Sequence, residues 1–140
     1  MKKATYLLIV LALVFLLFGC KKTTTVSISD CIGIKTYGEN GSGTVNITQD
    51  YDLLSSKIYK AIYGKELTME DMNKKPLGII SEIESVVNKY DAIIVDKDKI
   101  NGTLKNGDKV KVEIKLVDTE PKIDVRIKEE TVEYTVEGLK

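Results

Sequence analysis

The chain has 140 residues, room for one ordinary domain, and its 43% apolar and 30% charged content excludes wholesale disorder. Basic and acidic side chains balance at 21 each, so there is no electrostatic footprint for nucleic acid. Histidine and tryptophan are both absent, which removes the commonest general base and metal-binding side chain.

The N-terminus carries Lys2 and Lys3, then an unbroken apolar run from Leu7 to Phe18, then Gly19-Cys20. A short basic stretch, an apolar run and a small residue before a cut are the three parts of an export signal. At 12 residues the run is short for a permanent membrane helix, which needs ~20. Leu17-Phe18-Gly19-Cys20 resembles the bacterial lipobox. The resemblance implies a diacylglycerol on the Cys20 sulfur, cleavage before Cys20, and a signal peptide over 1–19. Leu17, Phe18 and Gly19 would be the residues recognised at the cut. The alternative is an uncleaved anchor with Cys20 at the interface; Lys2 and Lys3 keep that end cytoplasmic in both cases. Either way the remainder is expected on the extracellular face of the cell membrane, and without residues 1–20 it carries 19 basic and 21 acidic side chains, a net charge of −2.

Residues 20–25 read as a lipidated N-terminus and polar tether, and 26–140 as one extracellular domain. Val26 and Ile28 alternate with serines, and Cys31, Ile32 and Ile34 extend a strand-like stretch to Tyr37. Gly38-Glu39-Asn40-Gly41-Ser42-Gly43 precedes a second β-rich run over 44–48, which predicts a hairpin, since Asn and Gly accept the positive φ of hairpin turns. Asp50 and Asp52 mark a helix start. Tyr51, Leu54, Ile58, Ala61 and Ile62 repeat at helical spacing up to Gly64, a natural stop. Residues 65–78 are polar, with Thr68 and Asp71 spaced to cap a short helix. Ile79, Ile80, Ile83, Val86, Val87 and Tyr90 give a second helical period, with Val86-Val87 allowing a strand ending.

The last third is β by pattern. Ala92–Val95 is a short apolar run, and 96–108 reads as a loop ending in the turn Leu104-Lys105-Asn106-Gly107-Asp108. Val110, Val112, Ile114 and Leu116 then alternate with polar residues. Thr119-Glu120-Pro121-Lys122 breaks the chain, after which Ile123, Val125, Ile127 and then Val132, Tyr134 and Val136 alternate again. Alternation of this kind gives sheets with one buried and one wet face. Strands, helices and strands in that order predict an α+β domain, an antiparallel sheet with one or two helices packed on one face.

No constellation in the chain satisfies the chemistry of a catalytic or metal site. Asp96, Asp98 and Asn101 suggest a calcium loop, but an EF-hand needs ligands at its first, third and fifth positions, glycine at the sixth and glutamate at the twelfth. Ile100 stands fifth, Gly102 seventh and Gly107 twelfth. The glycines at 38–43 join strand to strand and enclose no lysine, unlike a phosphate loop. The acid pairs Asp50/Asp52, Glu70/Asp71, Glu82/Glu84 and Glu129/Glu130 lie in stretches that read as exposed. With Cys20 lipidated, Cys31 is left unpaired, and a small buried hydrophobe is the commoner role of a free cysteine. No enzyme, cofactor or metal is expected.

Three pieces, Tyr37–Thr44, Leu104–Val110 and Tyr134–Leu139, in this order resemble an uncharacterised extracellular module of low-GC Gram-positive lipoproteins and membrane-anchored zinc-ribbon proteins. The resemblance implies surface display and carries no functional residue across. The expected role is a lipid-anchored binding or envelope-spacing module, held to the membrane through its N-terminus and meeting an unknown protein or envelope partner. Because loops on a rigid scaffold usually carry binding, Glu39, Asn40, Ser42, Asp98 and Asn101 are the candidate contacts. The alternative role is an immunity or inhibitor lipoprotein acting on a secreted toxin or hydrolase.

Overall fold

The computed structural model describes residues 22–118 and 123–140. The lipobox residues Leu17, Phe18, Gly19 and Cys20, the apolar run before them and the predicted break at 119–122 lie outside the described residues.

The class is α+β, with helices and antiparallel sheets. In chain order the elements are β1 (Thr24–Val26), a 3₁₀ turn (Ser29–Cys31), β2 (Ile32–Tyr37), β3 (Thr44–Gln49), α1 (Tyr51–Tyr63), α2 (Met69–Lys74) and α3 (Pro76–Val87). Then follow β4 (Tyr90–Ile94), the single turn α4 (Lys97–Ile100), β5 (Lys109–Leu116), β6 (Val125–Ile127) and β7 (Glu130–Thr135). β2 and β3 form the expected antiparallel hairpin, with Ile34 opposite Ile47, and β4, β5 and β7 form an antiparallel sheet with β5 in the centre. β1 pairs in parallel with β6, Thr24 facing Val125.

The arrangement departs from the expected one in several places: the strands form three sheets and not one, the β1–β6 pair is parallel, and the turn α4 stands inside the loop expected over 96–108. The run 26–37 is not one strand: the chain breaks at Ser29–Cys31, so Cys31 sits in a 3₁₀ turn and not in a strand. β1 also begins at Thr24, so the last two residues of the 20–25 stretch belong to the folded domain. The break lets the chain leave β6 and turn down beside β7. There Ser27 donates from Oγ to Glu130 Oε1 at 2.5 Å, and Tyr134 donates from its hydroxyl to the Ile32 carbonyl at 2.6 Å.

The helices begin and end where local chemistry dictates. Asp50 caps α1, its carboxylate accepting from the Leu53 N–H at 3.0 Å, and Gly64 closes the helix in the left-handed conformation at φ 71°. Thr68 and Asp71 cap α2 reciprocally. α3 starts at Pro76, three residues earlier than its apolar period, because proline is welcome in the first helical turn, where no N–H partner is needed. The stretch 79–90 resolves into helix up to Val87 and strand from Tyr90.

The α2 cap carries a pH dependence. An ion pair with Lys65, reinforced by the Thr68 hydroxyl, holds the Asp71 carboxyl down at about 2, below its ordinary 3.8. A depressed carboxyl stabilises the fold fully above its unfolded value and loses that contribution as pH falls through the folded one. We expect the cap to persist at pH 4 and to loosen as pH falls toward 2. A carboxyl NMR titration with a midpoint near 4 for Asp71 would contradict this.

One core joins all layers. Leu54 and Ile58 of α1, Ile83 and Val86 of α3, Val45 of β3, and Val110, Val112 and Ile114 of β5 are buried in a single cluster with Ile28 and Ile127. The interior is purely apolar: among the described residues, no buried side-chain polar atom lacks a partner.

The long axis of β5 defines two ends. At its C-terminal end, Leu116 pairs with Tyr90, so α3 finishes there; Gln49 reaches the Tyr90 hydroxyl, so α1 starts there. Leu116 and Val86 also share a small hollow with Val125, Arg126 and Ile127, which places the β1–β6 pair at the same end. At the N-terminal end of β5 lie the hairpin tip, the loop 101–108 and the C-terminus. The eight residues of β5 separate the two ends by about 24 Å, at about 3.4 Å per residue.

Candidate functional site

The end remote from β1 brings together three segments that are far apart in sequence. The hairpin tip 38–43 lies against the loop 101–108, and the last residues of the chain are wedged beside both. The Gly41 and Gly43 N–H groups donate to the Leu104 carbonyl at 2.9 and 3.1 Å, and the Gly102 and Leu104 N–H groups donate back to the Gly43 carbonyl at 2.9 and 3.2 Å. The Asn40 N–H donates to the Lys140 carbonyl at 2.8 Å.

Asparagine side chains tie this cluster. Asn106 clamps the C-terminus: its Nδ2 donates to the Leu139 carbonyl and its Oδ1 accepts from the Leu139 N–H, both at 2.9 Å. Asn40 Oδ1 accepts from the Asn106 N–H at 2.8 Å, and Asn101 Oδ1 accepts from the Val45 N–H at 3.0 Å. An amide side chain presents a donor and an acceptor in one plane, which suits it to pairing with a backbone peptide.

Close approach explains Gly43. A Cβ there would stand 2.5 and 2.8 Å from the two δ-carbons of the buried Leu139 and 3.1 Å from the Leu104 carbonyl oxygen. Gly107 holds φ at 94°, a left-handed conformation that lets its N–H donate to the Val136 carbonyl at 2.8 Å.

The candidate contacts therefore divide. Glu39, Asn40, Ser42 and Asn101 are brought together at this end and are exposed, but the amides of Asn40 and Asn101 are engaged in lacing the loops. Asp98 is exposed on α4, and no bond joins it to the tip. Asn106 and Leu139, which hold the cluster, were not among the residues singled out. Their sequence signal is only an Asn-Gly turn and a terminal Gly-Leu, neither of which names a partner. The three pieces Tyr37–Thr44, Leu104–Val110 and Tyr134–Leu139 are the segments that meet here.

A second concavity lies on the helices. Tyr51, Leu67, Met72, Ile80, Ile83 and Val87 line a mainly apolar hollow of about 550 Å³ between α1, α2 and α3, with Ser55, Glu84 and Asn88 completing its wall. The periodicity of α1 and α3 accounts for their inner faces but gives no signal for this outer hollow.

Cys31 is 2% exposed, and burial, aided by the negative charge of Asp30, pushes its thiol up to about 11. The thiolate is the reactive form, so the folded protein should resist thiol reagents at pH 8 and label rapidly once denatured. Labelling at equal rates with and without denaturant would contradict the burial. Among the described residues no three of Cys, Asp and Glu come close enough to hold a metal ion, and no helix is long and apolar enough to cross a membrane.

Comparison with family models, with curated proteins and with solved structures returns no match.

Proposed function

We propose that the chain is a lipid-anchored protein of the extracellular face of the cell membrane, acting by contact and not by catalysis. The observation that carries this reading is Leu17-Phe18-Gly19-Cys20 behind a basic, then apolar, N-terminus. The architecture supports it. The tether joins the domain at β1, and the laced loops close the opposite end, about 24 Å away along β5 by strand rise. A partner approaching from outside meets those loops first. With Asn40 and Asn101 engaged internally, Glu39, Ser42 and Asp98 are the side chains free to meet it.

The lacing also favours the second reading, an immunity or inhibitor lipoprotein guarding the membrane against a secreted toxin or hydrolase. Such a role calls for a rigid, projecting surface that enters a partner without first having to order itself.

The double variant Glu39→Lys, Asp98→Lys tests the contact surface. Cross-linking in intact cells should capture an envelope or secreted partner with the native chain, and the variant should lose that partner while keeping its fold. Capture of the same partner in equal yield would count against these loops.

A further inference from the structure

We propose that the end of the domain holding the start of α1 and the close of α3 faces the bilayer, with Tyr51, Val117 and the hollow beside Tyr51 and Val87 resting on lipid. The inference rests on the lipid-anchor reading above. Cys20 precedes Thr24 by four residues, and an extended chain covers at most ~3.5 Å per residue, so β1 starts within about 14 Å of the lipidated residue. That short reach dictates which end of the molecule meets the membrane.

The end so held is the apolar one. Among the described residues, nine large apolar side chains are exposed; all but Tyr37 and Ile93 belong to the helices or to Val117, which follows β5. At that end Tyr51, at the start of α1, is 65% exposed and Val117, after β5, is 68% exposed. Tyr51 lies beside Val87 and Tyr90, and the Val117 N–H donates to the Lys89 carbonyl, which fixes both at the tether end. The remote end has a polar tip of Glu39, Asn40, Ser42, Lys105 and Asn106, and the Tyr37 ring near it is covered by the Lys35 ammonium at 5.4 Å. Apolar patches that no part of the chain covers mark interaction surfaces.

Charge identifies the mode of contact. Lys60 pairs with Glu66, Lys65 with Asp71 and Lys74 with Glu70, and residues 51–87 carry five lysines against six acids, so the helices offer no positive excess. The face therefore meets lipid by apolar contact and needs no anionic headgroup. Apolar contact of this extent is weak by itself and is made persistent by a covalent lipid.

The absence of native tryptophan makes each introduced one a single reporter. The full lipidated chain, carrying Tyr51→Trp, Val117→Trp or Ser42→Trp, is reconstituted into phosphatidylcholine–phosphatidylglycerol vesicles with or without brominated acyl chains. Bromine should quench emission at positions 51 and 117, leave position 42 unchanged, and do so equally at low and high salt. Undiminished emission at 51 and 117, with Cys20 shown by mass to carry its lipid, overturns the proposal alone. Blue-shifted emission without quenching, together with cross-linked dimers, assigns the face to a second copy and also overturns it. An unmodified Cys20 in the same sample removes the anchor reading and this inference together.

Discussion

Cys20→Ala is expected to block processing and to weaken membrane attachment. With a diacylglycerol on its sulfur, the native chain should sediment with membranes and leave them only in detergent. Each buried methylene contributes about 0.8 kcal/mol, and two acyl chains suffice where one gives marginal, reversible binding. Without the thiol there is no acceptor. The resemblance to the lipobox implies that cleavage follows lipid attachment, so the variant should retain its leader. The apolar run Leu7–Phe18 then reaches about 18 Å as a helix at about 1.5 Å per residue, short of a hydrocarbon core of about 30 Å. Membrane fractionation with salt, carbonate and detergent steps measures the difference. A variant as firmly bound and as completely processed as the native chain would show that Cys20 is not the anchor.

Gly43→Ala is expected to lower stability by about 1–3 kcal/mol, the usual cost of overpacking a filled site. The added methyl enters space held by the Leu139 side chain and presses on the Leu104 carbonyl. Leu139 cannot simply swing outward, because it is buried and Asn106 clamps its peptide on both sides. Gly78→Ala provides the opposite sign. It lies in the first turn of α3, and no atom lies within 4 Å of the added carbon. There alanine should stabilise by up to about 1 kcal/mol through helix propensity. Thermal unfolding of both variants reads the pair, and a Gly43→Ala protein as stable as the native one would show that the loop cluster is loosely packed.

These two glycines illustrate what was legible in the sequence. Features set within a few residues were readable: the Asp50 and Gly64 ends of α1, the Thr68–Asp71 cap, the hairpin around 38–43, and β5 with its strict alternation. Each depends on dihedral preference or on side-chain period, which a short window contains. Gly43 was legible as a turn residue but not as a close-packing one, because Leu139 is 96 positions away. The β1–β6 pair was hidden for the same reason: three residues on each side show no period, and the pairing joins opposite ends of the chain. The break at Ser29–Cys31 was masked because the buried apolar residues Ile28, Cys31 and Ile32 continue across it.

The candidate site was half legible. The hairpin tip and the loop after α4 were identifiable as loops, and the fold places them together. The division of labour among their polar residues was not, since Asn40 and Asn101 look alike whether an amide faces a partner or a neighbouring backbone. The apolar hollow on the helices was hidden because Tyr51 and Ile80 fit the helical period without revealing that nothing in the chain covers them.

The orientation of both ends of the domain follows from the lipid anchor. The most direct measurement is the intact mass of the chain extracted from membranes, beside that of Cys20→Ala. The native chain should start at Cys20 and carry a diacylglycerol, and the variant should lack that added mass. A native chain of full length with an unmodified Cys20 would contradict the anchor.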